Sequence, residues 1–536
     1  MGFRGLRSGL EPRATASAAV PDSESVGANL ADYVRQAAST RGSHAALLVG
    51  ATRLTWRELD DAVSAAASGM RAAGLVPGDR VGLVLGNRPE FVIAYFGALR
   101  ARLVAVPLNP GFTTREIVAS LGHAGVRLVV ADRDSVAAVR AAALPGASVV
   151  VAGGGAEGES LRWFDDLLAA GRGAGALPAD VVDADDADSD ELAVILYTSG
   201  TTGEPRGAML THRALVASIE QVASVSVDGQ SLMTADDVVL VVLPLAHVYS
   251  LNGTLGSLVK QAATAVLVER FDPDVTLRLV REHGVTQIPG APPLWISWAD
   301  RPDLREALQG VRVLFSGAAP LPASVLEQIT TATGLPVFEG YGLTEAAPGV
   351  TSTFVSGAPK AGSVGRPFPG VELRLVDEAG NDADPGDPGE IVIRGPNLFS
   401  GYWPDGADGP DADGWYATGD VAYADADGDL FLVDRRKDLV IVSGFNVYPR
   451  EIEDVLQQHP DVAEAAVVGV PHPHTGEAVK AYVVARPGTA LTPESVQAFC
   501  ETRLARFKRP TIVTVVAQLP HSVTGKVAKR RLRGER

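Results

Sequence analysis

The sequence predicts an α/β protein divided into more than one domain, and two observations carry that reading. Apolar runs with strand character alternate with amphipathic helical patterns from Leu54 to Val130, which is the signature of βαβ units building a parallel sheet with helices on its faces. The chain is 536 residues long and 46% hydrophobic, too long for one core, so it should form two or more domains.

The elements follow in order. Thr55-Trp-Arg-Glu58 is a capping box, and Leu59, Val63, Ala66 and Met70 then fall on one helix face. A strand is expected at Val81–Leu85, a helix opening at Pro89, and a strand at Leu103–Val106. A second box, Thr113-Thr-Arg-Glu116, starts the next helix, and Arg127–Val130 is the next strand. None of these residues carries chemistry, so the amino-terminal third is scaffold. The acidic run from Asp180 to Glu191 offers ligands for a divalent cation but reads better as a solvated linker.

A net charge of -17 argues against nucleic acid as a partner, although a local cleft can still hold an anionic nucleotide. The single cysteine, Cys500, excludes internal disulfides and cysteine metal clusters and fits a reducing, cytoplasmic setting. No apolar run approaches a membrane span, so no stable membrane insertion is expected. Residues 1–25 scatter Arg4, Arg7 and Arg13 among small residues and read as a disordered tail rather than a secretory signal. Leu6 stands where a myristoylation motif needs Ser or Thr.

The chemistry begins at Tyr197-Thr-Ser-Gly-Thr-Thr-Gly-Glu-Pro-Arg-Gly-Ala-Met-Leu-Thr-His212. The apolar run Leu192–Leu196 precedes it and the helix-like Arg213–Glu220 follows, so a strand, loop, helix unit is expected. Gly200, Gly203 and Gly207 let the backbone approach a ligand closely, and Thr198, Ser199, Thr201 and Thr202 add hydroxyls to the exposed amides. That combination binds phosphate, yet it is neither a Gly-Lys-Ser/Thr P-loop nor a dinucleotide G-x-G-x-x-G. On composition alone it is also an ordinary polar turn.

These sixteen residues resemble the phosphate loop of the adenylate-forming (ANL) superfamily, which contains acyl-CoA synthetases, luciferases and the adenylation domains of peptide synthetases. Most members carry Lys where this chain has Arg206, a swap that keeps the charge and changes the hydrogen-bond geometry. The resemblance extends from about Leu30 to about Leu532, with the motifs in the family's order. It is strongest to fatty acid and 4-coumarate CoA ligases.

Further motifs are read through it. Pro244-Leu-Ala-His-Val-Tyr249 resembles the acyl-gate motif, which places His247 between the acyl pocket and the thiol channel, with Tyr249, Leu251, Asn252 and Gly253 as candidate pocket wall. Ala246, Gly253 and Gly256 suggest an open pocket. The strand Val313–Ser316 ends in Gly317, Ala318 and Ala319, a stretch that cradles adenine in the family. Glu339-Gly-Tyr-Gly-Leu-Thr-Glu345 follows. Glu339, Gly340 and Gly342 belong to the nucleotide site, Tyr341 offers a face to the base, Thr344 a hydroxyl to the α-phosphate, and Glu345 a hard carboxylate to Mg²⁺. Asp387–Pro396 and Asn397–Trp403 suit the family's small β part, and Asp420 can take both ribose hydroxyls.

A carboxy-terminal domain is expected over 435–536, after an amino-terminal domain over 26–434. The resemblance implies that this smaller α+β domain is mobile: Arg435 touches ribose and phosphate, Lys437 is the hinge, Gly444 lines the pantetheine tunnel, and Lys526 in Leu519-Pro-His-Ser-Val-Thr-Gly-Lys-Val527 catalyses adenylation. Arg503, Arg506, Lys508 and Arg509 either attract CoA phosphates or form a solvated helix end. The expected substrates are ATP, coenzyme A and a small-molecule carboxylic acid, most readily a fatty acid, with Mg²⁺ as the metal. An acyl-AMP ligase serving a carrier protein and an aryl-CoA ligase are the alternatives, and a homodimer is left open.

Overall fold

The helix Pro89–Arg100 is apolar on every side, and every residue from Phe91 to Arg100 is buried. A helix of that kind must be covered all round. The computed structural model describes residues 29–153, 163–175, 189–199, 205–227, 229–435, 438–442, 445–472, 476–501, 503–521 and 526–533. In it, this helix and Trp56–Ala72 lie in a core that joins Leu83, Leu128 and Val130 of one sheet to Leu47, Val239 and Ala265 of another. The helices approach closely: a methyl group on Gly97 would stand 2.7 Å from Ala66 Cβ. Both capping boxes form as expected, and Leu59, Val63, Ala66 and Met70 are all fully buried.

The first sheet has six strands, in the order Ser148–Val151, Leu128–Ala131, Arg80–Val84, Val104–Leu108, Leu192–Ser199, Pro205–Thr211, and all but the last pairing are parallel. That last pairing corrects the strand, loop, helix expectation. Leu192–Ser199 turns back into the antiparallel strand Pro205–Thr211, and only then does the helix His212–Ala223 begin, capped by Thr211. Gly207 permits this pairing, since a Cβ there would lie 2.6 Å from Ile195 Cγ2.

The second sheet runs through thirteen strands. Its parallel part contains Ala45–Val49, Thr264–Leu267, Val238–Val241, Gln287–Gly290, Val313–Ser316 and Val337–Gly342. From there it continues antiparallel through Gly349–Ser352 and Ser363–Pro367 into Leu430–Arg435, Tyr416–Ala424, Gly389–Arg394 and Glu372–Val376. The last five of these strands form the small β part.

After Arg435 the chain enters a third sheet at Val440. Five strands and the helices Pro449–Gln457 and Pro493–Glu501 enclose Val440, Ile452, Leu456, Val467, Val483, Val496 and Cys500. The fold is therefore α/β with a smaller α+β carboxy-terminal domain. The helix Pro449–Gln457 lies against Leu430–Arg435 of the larger domain. Among the described residues no helix is long and apolar enough to cross a membrane. The 1–25 tail and most of the acidic run, through Asp188, lie outside the described residues.

Candidate active site

The strand Val337–Gly342 supplies the most tightly fixed part of the site. Gly340 and Gly342 leave no room for side chains: a Cβ on Gly342 would meet Pro348 O at 2.2 Å, and one on Gly340 would meet Thr351 O at 2.9 Å. The chain then folds back in one turn, Thr344–Ala346, closed by Leu343 N donating to Pro348 O at 3.1 Å. This hairpin aims Tyr341 at Asp420, and its hydroxyl donates to Asp420 Oδ2 at 2.7 Å.

Glu339 sits on the same strand, 5% exposed, opposite Ser316 on the neighbouring strand. Its Oε1 accepts from Leu321 N at 3.2 Å, while Oε2 and Ser316 Oγ are buried with no hydrogen-bond partner among the described residues. Burial pushes this carboxyl up to about 7, against the Leu321 amide and the charge of Arg450, which the carboxy-terminal domain brings near. Beside them Ala318 has φ +69, and the Tyr249 ring lies 3.0 Å from where a Gly317 Cβ would stand.

His247 follows Val238–Val241 in a turn organised by Asn87. The Asn87 amide donates to the carbonyls of Val241, Leu243 and Val268 and accepts from Leu245 N, four bonds of 2.9–3.1 Å. The chain does not leave His247 as a loop: Tyr249–Gly256 is π-helical and runs into the helix Ser257–Gln261. Desolvation, and after it the charge of Lys526, holds the imidazole down to about 4. His247 Nδ1 accepts from Tyr249 N at 3.3 Å, which puts the proton of the neutral ring on Nε2.

Gly253 and Gly256 do not open a pocket. A Cβ on Gly256 would strike Ile219 Cδ1 at 2.7 Å, and one on Gly253 would touch Pro348 and Tyr249 at 3.4 Å. These glycines admit neighbouring side chains. Leu251 and Asn252 are fully buried, and the Asn252 amide donates to Leu215 O and Ala347 O. Of the proposed wall, Tyr249 is the residue placed against the site.

Glu345 accepts a 2.5 Å hydrogen bond from the Tyr402 hydroxyl. Arg206 pairs with Asp408 and stacks its guanidinium over the Tyr402 ring, 3.7 Å from the centroid. Thr198 Oγ1 donates to Arg206 O at 3.5 Å. No motif gives Asn87, Asp408 or Arg450 a role, and Asn397–Trp403 points to the small β part without singling out Tyr402; each acts through residues distant in sequence. Lys526 is exposed and close enough for its charge to bear on His247. Gly200, Thr201, Thr202, Gly203, Lys437 and Gly444 lie outside the described residues, and for Ser199 and Arg435 only the backbone is described.

Of the four cations that could either attract CoA phosphates or form a helix end, three have partners within their own domain. Lys508 Nζ donates to both Glu451 oxygens at 2.7 Å, Arg509 donates to Leu504 O and Glu501 O, and Arg503 stacks on Phe499. They fit a helix end better than a phosphate site.

Residues 34–403 match the family model described as AMP-binding enzyme, and residues 451–526 match the AMP-binding enzyme C-terminal domain. The chain belongs to the AMP-binding enzyme family. A long-chain-fatty-acid–CoA ligase of Bacillus subtilis (strain 168) is 33% identical over 507 residues, 90% of each chain. The 4-coumarate–CoA ligase 5 of Oryza sativa subsp. japonica is 36% identical over 522 residues, 94% of each. Among solved structures, ATP-bound MatB from Rhodopseudomonas palustris superposes with a TM-score of 0.86 at 34% identity, covering 95% of this chain and 99% of that one. The apo form of MatB superposes less well, at 0.76. Both domains of this AMP-binding enzyme are thus accounted for, in the order the motifs require.

Proposed function

We propose that the chain is an AMP-forming acid–CoA ligase, which joins a carboxylic acid to the α-phosphorus of ATP, expels pyrophosphate, and passes the acyl group from the adenylate to the thiol of CoA. The observation that carries this reading is that the charge of Lys526, from the carboxy-terminal domain, bears on His247 of the amino-terminal domain, the residue read here as the acyl gate. An arrangement that brings it there suits the first half-reaction.

A carboxylate is a poor acyl donor because its leaving group would be an oxide. Adenylation replaces that oxide with AMP. The obstacle is charge, since an anion approaches a polyanion. Lys526 supplies a cation where negative charge grows, and neutral His247 presents an Nε2 proton without adding a second cation beside it. The Tyr341–Asp420 pair presents a fixed carboxylate to ribose hydroxyls. Ser316 Oγ and Glu339 Oε2, on adjacent strands and without partners among the described residues, are groups that a purine base can satisfy. Thr344 suits the α-phosphate, and the 198–203 loop with Arg206 suits the departing pyrophosphate.

The donor set fits Mg²⁺, which takes one or two carboxylates together with phosphate and water oxygens. Glu345 would hold it, and the ion would supply charge neutralisation at the phosphates. The second step needs a thiol where Lys526 stood, so the carboxy-terminal domain turns about Lys437 and exchanges one wall of the cleft. The acid is a fatty acid or an aryl-propenoic acid, in keeping with the relatives.

Mass spectrometry of AMP and thioester formation tests this, with ATP, Mg²⁺ and a panel of fatty and aryl acids, with and without CoA. Acyl-CoA formed only with CoA is the expected result and names the acid. Acyl-AMP accumulating regardless of CoA would reassign the enzyme to carrier-protein loading.

A further inference from the structure

The segment Phe399–Asp408 lies between two parts of the site that are far apart in sequence. On one side it is stitched to the strand that leaves the phosphate loop: Met209 N donates to Gly401 O at 3.0 Å, Ser400 N to Met209 O at 3.0 Å, and Trp403 N to Gly207 O at 2.8 Å. On the other side Phe399 N donates to Glu345 O at 2.9 Å, and the Tyr402 hydroxyl reaches the Glu345 carboxylate at 2.5 Å. Tyr402 is 8% exposed, and both its ring and that of Tyr416 pack edge-on against Phe399 at 5.0 Å. The free face of the Tyr402 ring is covered by Arg206.

We propose that Tyr402 is a positioning residue for Glu345, with Arg206 as the clamp that keeps its ring in place. The proposal rests on the reading of Glu345 as the metal-binding carboxylate. A glutamate on a one-turn helix between two glycine-lined strands can swing about three side-chain torsions. A phenol fixed at both ends of its ring removes that freedom and leaves the second carboxylate oxygen for the ion. Partners of this kind, hydrogen-bonded to a ligand rather than to the metal, typically contribute ten- to a hundredfold in metal affinity.

The clamp also accounts for Arg206 where the family usually has Lys. A planar guanidinium lies flat on an aromatic face while its edge pairs with a carboxylate, here Asp408. A lysine ammonium is a single point charge and cannot do both equally well. Arg206 therefore serves two neighbours at once: it holds the Tyr402 ring and keeps a positive charge at the base of the phosphate loop.

The test measures binding rather than turnover. A non-hydrolysable ATP analogue is titrated by calorimetry into the full chain, with Mg²⁺ and with EDTA, for the wild type, Tyr402→Phe, Arg206→Lys and the double variant. The ratio of the two affinities is read within one folded preparation, so a general loss of stability does not imitate the effect. Tyr402→Phe, which keeps the ring and deletes only the hydroxyl, is expected to shrink the gain in affinity due to Mg²⁺ about tenfold while the affinity in EDTA stays unchanged. Arg206→Lys should reduce the gain less, and should reduce it no further once Tyr402→Phe is present.

An unchanged or enlarged Mg²⁺ gain in Tyr402→Phe overturns the proposal. Equal losses with and without Mg²⁺ overturn it as well, because they mark a general packing role. A wild type whose affinity ignores Mg²⁺ would instead remove the metal reading of Glu345, and this proposal with it.

Discussion

The wall from Gly317 to Asp420 and Lys526 belong to different domains and differ in how far solvent reaches them. In the wall, Tyr341, Glu345 and Asp420 are each tied by a side-chain hydrogen bond, and crowded glycines fix the backbone between them. Lys526 is exposed and is carried by the carboxy-terminal domain. The difference teaches a division of labour. On the proposed mechanism the wall stays in place through both half-reactions, and the group needed in the first is carried on a part that can withdraw.

The sharpest way to break this comparison is Lys526→Ala. It should lower acid-dependent pyrophosphate release by about 10²–10³-fold and leave thioester formation from supplied acyl-adenylate largely intact, with the melting temperature unchanged. Equal losses in both half-reactions would mean that the lysine is not specific to the first.

Glu339 sharpens it from the side of the wall. Its carboxyl is raised to about 7 in the folded chain from a reference value of 4.5. Between those values the folded chain holds a proton that the unfolded chain has released, so stability falls as pH rises through that window and stays low above it. Glu339→Gln should therefore be more stable than wild type at pH 8, by about 3 kcal/mol, and nearly equal to it at pH 4.5. Chemical denaturation at the two pH values measures this. A variant less stable at pH 8 would show that Arg450 more than offsets the burial.

Gly342→Ala asks whether the wall is as rigid as its contacts imply. Its Cβ would meet backbone, Pro348 O at 2.2 Å, and overpacking of that kind costs about 2 kcal/mol. A matching drop in melting temperature is expected, with ATP affinity falling alongside. The smallest effect should come from Tyr341→Phe, which removes one hydrogen bond to a charged carboxylate. About 1–2 kcal/mol should appear as a higher KM for ATP with kcat nearly unchanged.

Much of the fold was legible because it is written in local patterns. The capping boxes at Thr55 and Thr113 and the proline at the start of Pro89–Arg100 are rules of neighbouring residues, and each holds in the structure. The antiparallel strand Pro205–Thr211 was not legible. Its glycine looks like loop chemistry until Ile195 is seen pressed against it. The pocket glycines misled for the same reason: whether a missing side chain makes room for a ligand or for Ile219 depends on what lies opposite.

The sequence by itself determined the α/β class, the order of the motifs and the residue types available for phosphate, ribose and metal, because those depend on short stretches of chain. Only the tertiary structure decided that Tyr341 holds Asp420, that Tyr402 holds Glu345 beneath Arg206, and that the charge of Lys526 bears on His247. Those pairings join residues from separate strands and separate domains. Hydrogen bonds and charges act over a few ångströms, and the distances that matter to them exist only once the chain has folded.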